Sequence, residues 1–319
     1  KEFGMFRIPK IAYIAIASLL LAGCSAQTNN EVVLATHDSV VISKELIADF
    51  EKSSGLKLTI VKAGDAGAMT NKLVLTKGDP IADAVYGIDN TFIGKAQDNE
   101  VVVENSITAI DYADICFNYD KSWFAAKGIA APTDWTQLTS PTYKALTVIE
   151  NPTTSSTGLG FLAATVAKFG EGKWQSFWKA LKANGVKIVA GWEDAYYTDF
   201  SGSAGKGDYP IVLSYSSSPA DEANTAAIRG GCFRQTEYAA TLTGAKNSAG
   251  ADKLVKWLTE LKFQNSMPAS MYVYPINPDA QIPESWATKA PGATSVLGEN
   301  LKISQNREAW LKAWAKIFG

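Results

Sequence analysis

Two stretches of this chain combine aromatic with polar or acidic side chains, and together they could bind a flat organic cation. The first stretch, Gly191–Tyr197, reads GWEDAYY, and the second, Leu213–Pro219, reads LSYSSSP. Trp192 and Tyr215 each follow a predicted strand, in polar surroundings that do not suit a core position. Aromatic faces attract cations through cation–π and stacking contacts, and a carboxylate supplies the opposite charge. Packing at a strand edge is the alternative for any single aromatic residue.

Acidic residues also follow two predicted strands. Asp38 comes directly after the strand Val32–Thr36, and Asp89 directly after Ala84–Ile88. In an open α/β sheet, the carboxyl ends of the strands border the usual ligand crevice. Capping of a helix N-terminus is an equally good interpretation of either aspartate. Tyr272, in the stretch MYVYP, is a further aromatic candidate.

The loop that begins at Asn151 is rich in hydroxyl groups and leads into an apolar predicted helix. Ser155, Ser156, Thr157 and Gly158 combine hydroxyls with free backbone N–H groups, which suits a carboxylate or phosphate of a ligand. A plain Ser/Thr helix cap would have the same composition. Neither a Walker motif nor a dinucleotide glycine motif is present, so we expect no cofactor.

Metal and hydrolase chemistry are poorly supported. His37 is the only histidine, and the chain has no Cys/His cluster. Tyr196 and Tyr197 could contribute to a ferric site, but adjacent residues point in different directions. No nucleophile elbow of the G-x-S-x-G type is present. The residues therefore favour binding over catalysis.

Residues 7–24 have the order of a bacterial export signal. A basic start precedes an apolar run that ends in Leu21-Ala22-Gly23-Cys24, and small residues before a cysteine resemble a lipobox. A buried helix with an incidental cysteine is the alternative, against which the three features in this order stand. The run is shorter than the roughly 20 apolar residues that span a bilayer, so the anchor would be lipid and not protein. We therefore expect residues 1–24 to be a vector remnant ahead of Met5 plus a lipoprotein signal peptide. Residues 25–31 would then be a tether, with the lipid on Cys24.

The two remaining cysteines are Cys116 and Cys232. In an exported protein such a pair more often forms a disulfide than stays free. The alternative is that one of them is a reactive thiol, and Cys116 has Asp114 two residues away. The sequence leaves both interpretations open.

Charge and length limit the function further. The chain has 319 residues, with 30 basic and 32 acidic side chains and a formal net charge of −2. A nucleic-acid partner is unexpected, because neutralising phosphates needs a basic surface. The length is enough for two lobes with sizeable cores.

Short apolar runs alternate with segments of helical period, which predicts an α/β fold with largely parallel sheets. Trp174 and Trp310 begin two such helical segments. Polar strands near 112–119 and 231–238 could cross between lobes as a hinge. Lobe 1 would then comprise 32–113 and 239–319 and lobe 2 would comprise 117–231, with ligand bound in the cleft between them.

Six ordered segments resemble the thiamine-binding proteins of bacterial ABC importers, within the two-lobed type II periplasmic solute-binding superfamily. The matching segments are THDS (36–39), ADAVYGIDN (82–90), NPTTSSTGLGFL (151–162), GWEDAY (191–196), VLSYSSSPA (212–220) and MYVYPI (271–276). The resemblance implies an α/β fold in which each lobe has a mixed or parallel sheet flanked by helices. It also implies capture of thiamine, or a thiamine phosphate, between the lobes.

The resemblance assigns provisional roles to individual residues. Trp192 and Tyr215 would stack on the ligand rings, and Tyr272 stands where other members can carry tryptophan. The remaining assignments are Asp38 and Asp89 in the cleft, the Ser155–Gly158 loop at the hydroxyethyl or phosphate end, Asp114 or Asp38 as counter-charge, and Cys116 with Cys232 as a cysteine pair at the two crossovers. His37 replaces an aromatic residue of some relatives, which leaves its role open.

The same resemblance implies partners and rivals. We expect a monomeric receptor that reaches the membrane only through its lipid and delivers its ligand to an importer permease and ATPase. One rival is a thiaminase-like enzyme of the same fold with Cys116 as nucleophile. Another is a binding protein for a polyamine or ferric ion, since polyamine sites also use aromatic and acidic residues.

Overall fold

The computed structural model describes residues 30–319, which fold around a nine-stranded mixed sheet. The predicted signal peptide and Cys24 lie outside the described residues. The strands are β1 (Glu31–Thr36), β2 (Lys57–Lys62), β3 (Ala84–Asp89), β4 (Thr108–Asp120), β5 (Thr147–Glu150), β6 (Lys187–Val189), β7 (Ile211–Tyr215), β8 (Thr225–Thr241) and β9 (Tyr274–Pro275).

Eleven α-helices in the described range flank the sheet. They are α1 (Lys44–Ser54), α2 (Ala66–Leu75), α3 (Ile93–Asp98), α4 (Lys121–Lys127), α5 (Ser156–Phe169), α6 (Trp174–Ala183), α7 (Ser248–Trp257), α8 (Leu261–Gln264), α9 (Met267–Met271), α10 (Trp286–Lys289) and α11 (Ile303–Phe318). A π-helical turn also spans Asp194–Asp199. Within residues 30–319, no helix combines the length and apolar character needed to cross a bilayer.

The sheet consists of two parallel groups joined by a central antiparallel pair. Its strand order is β2-β1-β3-β8-β4-β7-β5-β6, and β9 pairs with β4. The outer strands run parallel to their neighbours, whereas β4 and β8 run antiparallel to each other and to β7 and β3. The two predicted hinge strands lie within β4 and β8, where Tyr112 is paired with Thr236 and Asp114 with Arg234. The predicted α/β class is confirmed.

A disulfide joins the two central strands. The regular pairing stops between Ile115↔Phe233 and Phe117↔Ile228, because β8 contains extra residues there that bulge away from β4. Gly231 adopts a left-handed φ of 68° within this bulge, a conformation that favours glycine. The Cys116–Cys232 bond fastens the bulge to the facing strand.

Helix α5 packs on the sheet with almost no spare room. Its residues from Ser156 to Val166 are all buried. A Cβ on Gly158 would lie 2.4 Å from the backbone oxygen of Glu150, and one on Gly160 would lie 2.6 Å from Ile115. These glycines therefore serve close packing, and they bring the start of α5 directly against the end of β5.

The C-terminal helix α11 contacts segments far away in the sequence. Its Trp314 ring lies 5.9 Å from that of Trp178 on α6, and Lys182 Nζ donates to the carbonyl oxygen of Ile317 at 2.5 Å. Arg307, near its start, donates to the carbonyl oxygen of Thr91. Because α11 packs on α6, it is attached to the 117–231 portion as well as to the N-terminal part of the chain.

Candidate functional site

Five aromatic side chains come together beside the ends of β6 and β7. This aromatic cluster consists of Trp192, Tyr196, Tyr197, Tyr215 and Tyr272. Trp192 stacks on Tyr196 with ring centroids 4.8 Å apart, and it lies 6.0 Å from Tyr215 and 6.3 Å from Tyr272. The structure thus unites the three aromatic residues that the sequence analysis selected and adds the two tyrosines of the π-helical turn.

Serine hydroxyls hold the aromatic cluster in place. Trp192 Nε1 donates to Ser214 Oγ at 2.9 Å, and Ser214 Oγ is hydrogen-bonded to Ser218 Oγ at 2.8 Å. Ser217 Oγ donates to the carbonyl oxygen of Tyr272, which has a left-handed φ of 59°. Serines at the end of β7 and directly after it therefore fix the Trp192 indole and the backbone of Tyr272.

Asp65 links α2 to the aromatic cluster, and it is not among the site residues predicted from the sequence. Its carboxylate accepts hydrogen bonds from the backbone N–H groups of Ala66 at 2.6 Å and Trp192 at 2.8 Å. Burial raises its pKa, although neighbouring His37 opposes that shift. Asp65 follows β2, so the strand-end rule that selected Asp38 and Asp89 could have found it.

Backbone contacts bring α2 against the loop before α5. Ala68 N donates to the carbonyl oxygen of Thr154 at 3.0 Å. A Cβ on Gly67 would lie 2.7 Å from the backbone carbon of Thr154 and 2.9 Å from the carbonyl oxygen of Thr153. Only a residue without a side chain permits this approach, so α2 and the loop before α5 are packed directly against each other at this point.

A cavity of about 210 Å³ opens beside these contacts. Its described lining residues are Asp38, Ser39, Gly64, Asp65, Ala68, Thr154, Ala190, Gly191, Trp192, Glu193 and Asp194. Four of them are carboxylates and none is basic, so the cavity favours a positively charged occupant.

A second acidic group lies beneath the aromatic cluster. His37 Nε2 is 3.2 Å from Glu237 Oε1, which also accepts a hydrogen bond from Gln235 Nε2 at 2.8 Å. Burial raises the pKa of Tyr215 well above its usual value, and the carboxylates of Glu237 and Asp65 add to the shift. Glu237 and Asp65 are therefore both electrostatically coupled to the same aromatic residue.

The structure places the other predicted acidic residues in different environments. Asp114 forms an ion pair with Arg234 and also accepts from Ala293 N at 3.2 Å, so its charge is already neutralised. Asp89 is fully buried and accepts from the Thr91 hydroxyl at 2.7 Å, as a capping residue would. Asp38 is exposed at the cavity and accepts from Gly64 N at 3.1 Å. Of these three, only Asp38 lines the acidic cavity.

The predicted anion loop is buried at the start of α5. Ser155 Oγ and Thr157 Oγ1 are 2.9 Å apart. Glu150, at the end of β5, is fully buried beside the Thr157 side chain. Burial raises the pKa of Glu150 well above its usual value, and nearby Asp65 adds to the shift. Two carboxyl groups thus lie near the donors that an anion would need.

Thiol and metal chemistry find little support in the described part of the chain. Cys116 and Cys232 are both 3% exposed and are bonded to each other, so Cys116 is not available as a thiolate. Residues 30–319 contain no group of three His, Cys, Asp or Glu side chains placed to hold a metal ion.

The sheet has two parallel groups of strands that share one pair of long central strands. Aromatic and acidic side chains gather where α2 meets the β5–α5 loop. This arrangement defines a two-lobed ligand-binding protein with the α/β fold of type II periplasmic binding proteins. Residues 79–292 match the family described as bacterial extracellular solute-binding protein, and the chain belongs to that family.

Several periplasmic binding proteins are similar to this chain over most of its length. A thiamine-binding periplasmic protein of Salmonella typhimurium is 27% identical, covering 84% of this chain and 86% of its own length. One from Brucella abortus is 26% identical, covering 91% and 92%. A solved periplasmic thiamin binding protein superposes with a TM-score of 0.79 at 22% identity, covering 91% and 96%. The structure of iron-bound HitA from Pseudomonas aeruginosa superposes with a TM-score of 0.70 at 14% identity, covering 90% of this chain and 99% of its own. The shared fold therefore serves different ligands.

Proposed function

We propose that this protein binds thiamine between its lobes outside the cytoplasm and delivers it to an ABC importer. The observation that carries the proposal is the aromatic cluster beside Asp65, a carboxylate that forms no ion pair with a lysine or arginine of the described residues. Thiamine has a flat aminopyrimidine ring and a positively charged thiazolium ring. Each cation–π contact of a desolvated cation contributes about 2 kcal/mol.

The charges favour thiamine itself over its phosphate esters. Asp65 and Glu150 lie at the start of α5, where a phosphate would have to use the Ser155–Gly158 loop. Lys62 is the cation that faces this region, and its ammonium group already donates to the carbonyl oxygens of Asp38 and Val40. The hydroxyethyl group of thiamine is neutral and suits the loop hydroxyls better.

The remaining parts of the proposal concern delivery. Lobe 1 would comprise 32–113 and 239–319, lobe 2 would comprise 117–231, and the central strands would act as the hinge. Ligand stabilises the closed form only by its differential affinity for that form. A monomer tethered through a lipid on Cys24, with no cofactor, would then present the closed form to the permease and its ATPase.

Calorimetry on the chain from Ser25, refolded to remove carried-over ligand, tests the proposal. Tight one-to-one binding, with intact thiamine recovered by mass analysis, supports it. Cleaved thiamine would instead identify a thiaminase-like enzyme. An absence of heat would overturn the proposal and direct the search to polyamines and ferric ion, the ligand class of one structural neighbour.

Neutralising Asp65 should weaken thiamine binding. The substitution Asp65→Asn removes the charge and leaves one acceptor oxygen, so only one of the two bonds from Ala66 N and Trp192 N can remain. We therefore expect about tenfold weaker binding, or ~1.4 kcal/mol. Calorimetry measures this loss. In Asp114→Asn, binding should stay within about threefold, because Arg234 already pairs with that carboxylate. A larger loss from Asp114→Asn than from Asp65→Asn would reverse the assignment of the counter-charge.

Adding one methyl group at Gly67 should oppose lobe closure. In Gly67→Ala the new Cβ would lie 2.6 Å from the Phe92 ring of the same lobe and 2.7 Å from the backbone carbon of Thr154. Overpacking of this kind costs about 1–3 kcal/mol, so urea unfolding of the unliganded variant must separate the local clash with Phe92 from an effect on closure. We expect thiamine affinity to fall about tenfold, as read by calorimetry. Gly78→Ala is the matched control, because a Cβ there meets nothing within 4 Å. Equal affinities of the two variants would show that this contact does not accompany binding.

A further inference from the structure

His37 is the only histidine of the chain, and it is directly paired with a carboxylate of the hinge strand β8. Its Nε2 lies 3.2 Å from Glu237 Oε1 and 3.4 Å from Glu237 Oε2. The side chains are only 13% and 5% exposed. The imidazole also fits against Gly87 of β3, where a Cβ would lie 2.2 Å from His37 Cδ2. The contact with Gly87 therefore fixes the position of the imidazole, and the pairing with Glu237 favours its protonated form.

Titratable and charged groups face His37 from several elements. Besides Glu237 of β8, they include Asp65 at the start of α2 and Lys62 of β2. Asp111 of β4 and Tyr86 of β3 lie behind Glu237, with the Tyr86 hydroxyl donating to Asp111 Oδ2 at 2.5 Å. Tyr215 of β7 faces both Glu237 and Asp65. The acidic groups outnumber Lys62, so a positive charge is stabilised at this point.

Two cations would compete for the same acidic groups once ligand enters. Asp65 is bonded to the backbone of Trp192 and interacts with His37, so it lies between the aromatic cluster and the imidazole. A thiazolium ring held by Trp192 and Tyr215 would therefore bring its charge close to a protonated His37. Like charges in a buried site disfavour each other.

We propose that His37 exchanges its proton for the positive charge of the ligand, so that thiamine capture releases a proton. This inference rests on the proposed function. The N–H bond of the imidazolium breaks, the electron pair stays on the nitrogen, and the proton passes to buffer. The charge of the site then stays nearly constant, because one cation replaces another.

The direction of the pH dependence follows from linkage. Burial alone would lower the pKa of His37, but Glu237 and Asp65 together raise it above the ordinary value of 6.5. The ligand charge should lower the pKa again. Affinity for thiamine therefore increases with pH, by about tenfold per pH unit between the His37 pKa of the bound form and that of the free form. Above the free-form pKa it should level off.

A single imidazole makes the test direct. In untagged protein labelled with ¹⁵N, only His37 contributes imidazole signals, so its titration is followed by NMR with and without saturating thiamine. We expect the midpoint to move to lower pH when thiamine is bound. Calorimetry at the free-form midpoint, in two buffers of different ionisation enthalpy, should show release of up to about half a proton for each thiamine bound, because half of the free His37 is protonated there.

The variant His37→Gln keeps a hydrogen-bond donor toward Glu237 but cannot titrate. It should bind thiamine with an affinity that is flat over this pH range and release no proton. A merely structural His37 would change the affinity but leave the proton release intact. Thiamine binding without movement of the His37 midpoint would overturn the proton exchange alone, whereas no binding at any pH would overturn the proposed function.

Discussion

Replacing Trp192 by alanine should weaken thiamine binding about 100-fold, or ~3 kcal/mol. Trp192 is the central member of the aromatic cluster, with Tyr196 stacked on it and Tyr215 and Tyr272 within 6.3 Å. Its loss removes one stacking surface from the ligand and leaves a void beside Tyr196. Buried tryptophans are also the residues that most often dominate binding energy. Calorimetry on the purified variant measures the effect.

Trp192→Phe separates the aromatic face from the indole hydrogen bond. It retains a ring for stacking but loses the donor to Ser214 Oγ, so we expect a loss of about tenfold. Because Trp192 is only 5% exposed, urea unfolding of the unliganded variants must accompany calorimetry. If folded Trp192→Ala bound thiamine within about threefold of the unsubstituted protein, the aromatic cluster would not be the ligand site.

Periodicity was sufficient to predict much of the fold. The predicted strands Val32–Thr36 and Ala84–Ile88 coincide with β1 and β3 to within one residue, because short apolar runs rich in β-branched residues favour strands. The helical spacing from Trp174 to Leu181 likewise predicted α6, whose two tryptophans are buried. Local sequence determined these elements, since each one buries a continuous apolar stripe.

Pairings between distant residues could not be predicted in this way. Asp114 was a candidate counter-charge until the β4–β8 register placed it opposite Arg234, 120 residues later in the chain. Asp65 lacks an aromatic neighbour in the sequence, and its contact with Trp192 spans 127 residues. Both relationships depend on sheet register and on the approach of α2 to the β5–α5 loop, which no local pattern specifies.

Opening the disulfide should destabilise the protein by roughly 2–5 kcal/mol. Cys116 and Cys232 are separated by 116 residues, so the bond removes a large amount of chain entropy from the unfolded state. We expect the double variant Cys116→Ala/Cys232→Ala to unfold at a clearly lower urea concentration. Alanine is preferable to serine because both positions are buried, and a serine hydroxyl there would lack a hydrogen-bond partner.

The unsubstituted protein, reduced with dithiothreitol, is the matched control because it retains both sulfur atoms. It should lose nearly as much stability as the alanine variant. Before reduction, the chain from Ser25 should show no free thiol under denaturing conditions. Unchanged unfolding after reduction, with two thiols then counted, would show that the bond does not contribute to stability.

The double variant Cys116→Ala/Cys232→Ala also distinguishes a receptor from an enzyme. A thiaminase-like reaction through Cys116 needs a thiolate, whereas the structure ties this sulfur to β8 and so fixes the bulge at Gly231. The bulge in turn receives the segment near Ser295, whose carbonyl oxygen accepts from Cys232 N at 3.1 Å. Because the bond lies in the central strand pair and not among the ring-bearing residues, the alanine variant should be less stable yet still bind thiamine one-to-one and release it intact.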